Sequence, residues 1–169
     1  MNRPQDKAEI EIRGKFLAMS CDIEYTLMNI MAYCAPDPQN QIRRFKKMMM
    51  GEKIQNTVHD LKHHKPIYFG EYENHLLMLE EFRVVRIDLS HHRMEFPDPK
   101  DLSTFRMIYV DEVDGIERLM YKDYTMTYYN ECIERLTTMN LTLAGLVVKL
   151  YNDYQRSQGL PTMGYQFKG

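Results

Sequence analysis

At 169 residues the chain has the length of one globular domain that buries about two-thirds of its unfolded surface. Apolar residues make up 44% of it and the formal net charge is −2, which excludes a disordered chain and any global pull toward nucleic acid or anionic membrane. The longest apolar run, LTLAGLVV at residues 141–148, is far short of the roughly 20 residues that span a bilayer.

The first pattern in the chain is Phe16, Ser20, Ile23, Leu27, Ile30 and Cys34, recurring every three or four residues. It predicts one face of a long helix over residues 8–33, ended by Pro36 and Pro38, which cannot continue the hydrogen-bond ladder. A shorter amphipathic piece carries Ile42, Phe45 and Met49, and Ile54, Val58 and Leu61 mark a second main helix stopped near His64 by Pro66. The third main helix is expected to start near Gly70 and to run through Leu76, Leu79, Phe82, Val85 and Leu89. The period then changes. Ile108 and Val110 alternate with polar neighbours, Asp114-Gly115 is a two-residue turn signal, and Leu119 and Tyr121 resume the alternation, which predicts a small β-hairpin. Pairing across that turn sets Asp111 opposite Arg118 and Arg106 opposite Asp123, both favourable. The last helix is the clearest, a stripe from Tyr129 through Leu136, Leu143 and Leu150 to Tyr154. Thr125 or Thr127 is placed to cap its start and Gly159 its end. A single domain over 1–169 is expected, with its core at 8–158 and a peripheral tail at 159–169.

Met1-Asn2-Arg3-Pro4-Gln5-Asp6-Lys7 has no apolar stretch behind its charges, so no signal peptide is expected. Cys21, Cys34 and Cys132 form an odd set without C-x-x-C spacing and read as reduced thiols of a cytoplasmic protein. The 14 methionines and the absence of tryptophan suit an adaptable core better than a cofactor box, and no cofactor is expected.

One charge in the third main helix is out of place. With about 100° per residue and Arg86 as zero, Leu79 falls near about 20°, Phe82 near about −40° and Leu89 near about −60°. Arg86 therefore projects from the buried face, where an unpaired guanidinium is costly. Arg83, Ser90 and Arg93 fall within about 60° of it. His91 lies about 140° away on a regular helix, so the two share a site only where the helix ends near Ser90. The plainer reading is an arginine that pins two helices through carboxylates such as Asp22 or Glu24, with His91 a helix-end residue.

Residues 77–92, LMLEEFRVVRIDLSHH, resemble the signature region of the HEPN superfamily, in which an arginine is followed after four to six residues by a histidine near the end of the third helix. Arg86-Ile87-Asp88-Leu89-Ser90-His91 has the frame of the family's frequent Arg-Asn-x-Leu-Ala-His form. Ile87 departs from it, since active members often carry Asn, Asp or His there. The resemblance implies an all-α, HEPN-like helical bundle of four main helices with the hairpin inserted before the last. It further implies a homodimer with the Arg/His pairs facing one another, and a metal-independent endoribonuclease of the defence or toxin–antitoxin type, with an antitoxin or regulatory protein as partner. In that reading Arg86 binds the scissile phosphate and His91 is the general acid or base, a role suited to a group titrating near neutrality. Asp88, Ser90 and His92 would support them, and Arg83, Arg93, Arg43 and Arg44 would bind RNA. The alternative is a non-catalytic HEPN-like module for dimerisation or nucleotide binding.

Two further clusters stand apart. His59 and His63, with Asp60 and His64, share a helical face as two zinc ligands would, but no third ligand follows on the element, and no metal site is expected. Arg43-Arg44-Phe45-Lys46-Lys47 and Lys62-His63-His64-Lys65 are basic runs that suit a solvated helix face or an RNA backbone. Tyr124, Tyr128 and Tyr129 suit core packing or base stacking.

Overall fold

The structure is a computed structural model and describes residues 3–163. In chain order these form α1 (Pro4–Cys34), α2 (Pro38–Phe45), α3 (Met50–His64), α4 (Pro66–His91), β1 (Arg93–Glu95), β2 (Thr104–Val113), β3 (Ile116–Thr125) and α5 (Met126–Ser157). The strands make one antiparallel sheet in the order β1-β2-β3. The expectation of an all-α, HEPN-like bundle of four main helices with a single hairpin is therefore overturned. Five helices and a three-stranded sheet are present among the described residues.

The differences have local causes. Residues 38–45 form a helix of their own because Pro38 sits in its first turn and the Asp37 carboxylate accepts the Asn40 N–H at 3.1 Å. Helix α4 starts at Pro66, before Gly70, since a proline in the first turn forfeits no intrahelical bond. After His92 the chain becomes extended, and Arg93, Met94 and Glu95 pair with Ile108, Met107 and Arg106. Three residues are too few for alternation to be legible, so this strand goes unseen in the sequence. Asp114 (φ 56°) and Gly115 (φ 76°) occupy the left-handed region that a two-residue hairpin turn requires. The pairs Asp111↔Arg118 and Arg106↔Asp123 follow. Thr125 caps α5 by accepting the Tyr128 N–H at 3.1 Å. Gly159 (φ 69°) closes it, and the Leu160 N–H reaches the Gln155 carbonyl at 2.9 Å. The expected peripheral tail is described only to Met163, whose N–H donates to Asn152 at 2.9 Å; the rest of it lies outside the described residues.

The chain forms two compact units, one of residues up to Cys21 with Glu80–Thr137 and one of Asp22–Leu79 with Thr138 onward. In the first, Phe16, Phe82, Phe105, Met107 and Leu136 are fully buried. Phe16 and Phe82 stack at 6.2 Å, and Phe105 lies parallel to Tyr124 at 5.2 Å with Tyr129 edge-on at 5.9 Å. In the second, Leu27, Ile30, Met31, Phe45 and Leu61 are the fully buried centre. Lys53 pairs with Glu24 while lying 4.9 Å from the Phe45 ring centroid.

Burial leaves several weak acids protonated well above their ordinary range. It pushes the Tyr129 hydroxyl up to about 12, and it raises the Cys132 thiol to about 11 with help from Glu81. Cys34 is pushed up to about 12 by burial and by Asp60. A raised folded-state pKa contributes stability that is fully present below the unfolded value and is lost as pH rises through the folded one. The melting temperature is thus expected to hold up to the ordinary thiol value of 9.0 and to fall steadily toward about 12, as thermal melts across that range will read.

Candidate functional site: the end of helix α4

Helix α4 stays regular through His91, so Arg86 and His91 project about 140° apart and one chain does not bring them together. The helix holds because its last carbonyls are taken up. The Arg13 guanidinium donates to the Leu89 carbonyl and, at 2.8 Å, to the His92 carbonyl, and a cation at a helix C-terminus is favourable. Arg86 is half-buried, and among the described residues it has no ion pair or hydrogen bond. Glu24, one of the two carboxylates expected to pin it, is paired with Lys53.

The side chain that gathers partners is Asp88. It is buried, 6% exposed, and a buried carboxylate persists as a charge only if it is paired. Lys122 Nζ donates to Oδ2 at 2.6 Å, and the Tyr124 hydroxyl donates to the same oxygen. Burial and this carboxylate together push the Tyr124 hydroxyl far above its ordinary value. On the other oxygen, His92 Nδ1 sits 3.3 Å away. That contact lies within ion-pair range but outside hydrogen-bond alignment, and Nδ1 is left without a hydrogen bond. The His92 ring is also stacked on Tyr109, with centroids 4.6 Å apart and planes 18° from parallel. Helix α4 supplies Asp88, strand β2 supplies Tyr109, and strand β3 supplies Lys122 and Tyr124. The imidazole is thereby held by its stack on Tyr109, with Nδ1 turned toward the Asp88 carboxylate.

What it can meet is a cleft of about 560 Å³ lined by His91, His92, Arg93, Glu95, Ile108, Tyr109, Val110, Leu119 and Tyr121. His91 is exposed, while the His92 side chain is 18% exposed. Arg93 is tied to Glu95 at 2.8 Å, and a guanidinium with five donors keeps some for a second acceptor. Two imidazoles, one backed by a carboxylate, and a guanidinium thus share a cleft large enough for a small polar ligand.

Of the other sequence-predicted residues, Ser90 is exposed and does not line the cleft. Arg83 is held by Glu80 at 2.9 and 3.0 Å. Arg43 and Arg44 are exposed and belong to the other unit, where Arg44 pairs with the buried Asp60 at 3.1 Å. His59 and His63 stack at 6.2 Å; among the described residues no three His, Cys, Asp or Glu side chains are grouped to hold a metal ion. Tyr124 and Tyr129 are buried in core packing, whereas Tyr128 is 44% exposed. The pairing of Asp88 with His92 was missed in the sequence, although their spacing of four residues puts both on one side of a helix.

Comparison with family models, curated proteins and solved structures finds no match. No helix among the described residues is long and apolar enough to cross a membrane.

The Asp88 cluster is testable apart from any activity. Tyr124→Phe keeps the ring stacked on Phe105 and removes one donor to a buried carboxylate, so a loss of about 1–3 kcal/mol is expected. A urea melt will read it as a lowered midpoint with an unchanged slope.

Proposed function

We propose that the chain binds RNA and cuts its backbone without a metal, in the cleft at the end of α4. The observation that carries this reading is the His92 imidazole, oriented by buried Asp88 and stacked on Tyr109, beside His91 in the same cleft. His92 Nε2 takes the proton of a ribose 2′-hydroxyl, and the 2′-oxygen attacks the adjacent phosphorus. The bond from phosphorus to the 5′-oxygen breaks, and that oxygen takes its proton from His91 in the imidazolium form. The products are a 2′,3′-cyclic phosphate and a 5′-hydroxyl. Arg93 offers donors to the phosphate oxygens as negative charge develops. The likeness of the Arg86 to His91 run to the HEPN signature supports the same chemistry, but the proposed base moves from His91 to His92.

A second reading is favoured by Arg86, half-buried and without a charge partner among the described residues. In it the chain is a non-catalytic module that holds a nucleotide phosphate on this guanidinium. Incubating single-stranded and structured RNA with the protein in excess chelator separates the two. The first reading expects cleavage that is lost in His92→Ala and retained in Arg86→Ala, with cyclic-phosphate ends. Cleavage that survives His92→Ala, or that chelator abolishes, sinks it. Nucleotide binding without cleavage, lost in Arg86→Ala, establishes the second.

A further inference from the structure

Helix α1 has a second apolar face that is exposed among the described residues. Its inner face is formed by Ile12, Phe16 and Met19, all buried. On the opposite side Ile10 is 66% exposed and Leu17 is 52% exposed. Seven residues separate them, about 20° short of two full turns. Gly14 lies between them with open space where a Cβ would be, and Ala18 and Cys21 are exposed beside them. Spacing of four, three and four residues through Ile10, Gly14, Leu17 and Cys21 is that of a helix–helix seam. Most helices of this length show solvent a polar outer face, so the departure calls for an occupant.

We infer that this face of α1 pairs antiparallel with the α1 of a second copy of the chain, crossing at Gly14. A two-fold axis at that level sets Ile10 of each helix against Leu17 of the other. The glycine at the crossing lets the two backbones approach closely, and the apolar side chains on either side close over the gap. The flanks fit the same register. Glu11 and Lys15 lie on one side of the seam, both exposed, and among the described residues neither has an ion pair. In a two-fold antiparallel pair that side meets its own copy, so each Glu11 lies beside the other chain's Lys15, offset by about two residues' rise. Two complementary charge pairs then lie along one side of the apolar seam. A single helix crossing buries little area, which places the association at the weak end of specific interfaces. The inference does not depend on the cleft reading, because the seam and the cleft share no residue.

Sedimentation of the full chain under reducing conditions, from about 1 µM to about 200 µM, tests it in the range where small interfaces associate. Wild type is expected to shift from monomer to dimer with concentration. Gly14→Leu fills empty space and favours the helix, so it should fold at least as stably as wild type while weakening association at least about tenfold. Leu17→Glu should be monomeric throughout. Lys15→Glu alone should weaken the dimer, and the double reversal with Glu11→Lys should restore it. A wild type that stays monomeric to the highest concentration overturns the inference. So does a dimer unchanged by Gly14→Leu and Leu17→Glu.

Discussion

His92→Ala is expected to lower kcat/KM for RNA cleavage by about 10²–10⁴-fold, the usual contribution of a positioned general acid or base. The effect should be chemical and not structural, since His92 lies one residue past the end of α4 and lends the fold mainly its stack on Tyr109. Circular dichroism and the urea midpoint will separate the two. Asp88→Asn probes the same group from behind. It keeps the side-chain volume but gives Lys122 a neutral partner, and it removes the carboxylate that lies beside His92 Nδ1. A loss of about 10–100-fold is expected, the scale on which groups that orient a reactive one act. His91→Ala should also fall, and Arg86→Ala should stay near wild type. An inactive Arg86→Ala beside an active His92→Ala would transfer the site to the other face of α4.

The contrast between Arg86 and His92 shows what could be read from residue order. Helical periodicity put Arg86 near the buried face, and its side chain is half-buried. The turn at Asp114-Gly115 also carried its register, because φ > 0 at two successive residues leaves little choice of side chain. The Asp88 cluster was opaque for a different reason. Its partners Lys122 and Tyr124 stand 34 and 36 residues away and meet the carboxylate only because β3 pairs with β2. Nothing local to the run from Arg86 to His91 announces that contact. The regular end of α4 was equally hidden, as it depends on Arg13, 76 residues from the Leu89 carbonyl that it satisfies. Periodicity reports which face is buried; it does not report which distant donor seals a helix end.

Phe82→Ala is expected to produce the largest loss of stability, about 3–5 kcal/mol. The side chain is fully buried and its ring stacks on Phe16, itself fully buried, at 6.2 Å. Truncation loses the transfer free energy of the ring and leaves a void that two long helices cannot collapse to fill. Phe82→Leu keeps most of the volume and should lose less than half as much. Because the two rings share one contact, Phe16→Ala and Phe82→Ala together should be less destabilising than the sum of the singles. Urea unfolding of the four-member cycle will read the coupling. The same substitution reaches the cleft: Phe82 fixes α4 against α1 about two turns before Asp88 and about three before His92, and Arg13 holds the helix end from the same α1. Loosening that contact should let the Asp88 cluster relax, so a folded Phe82→Leu variant should cleave with a lower kcat and a nearly unchanged KM. A raised KM with kcat unchanged would mean that the packing supports substrate binding and not the positioning of His92.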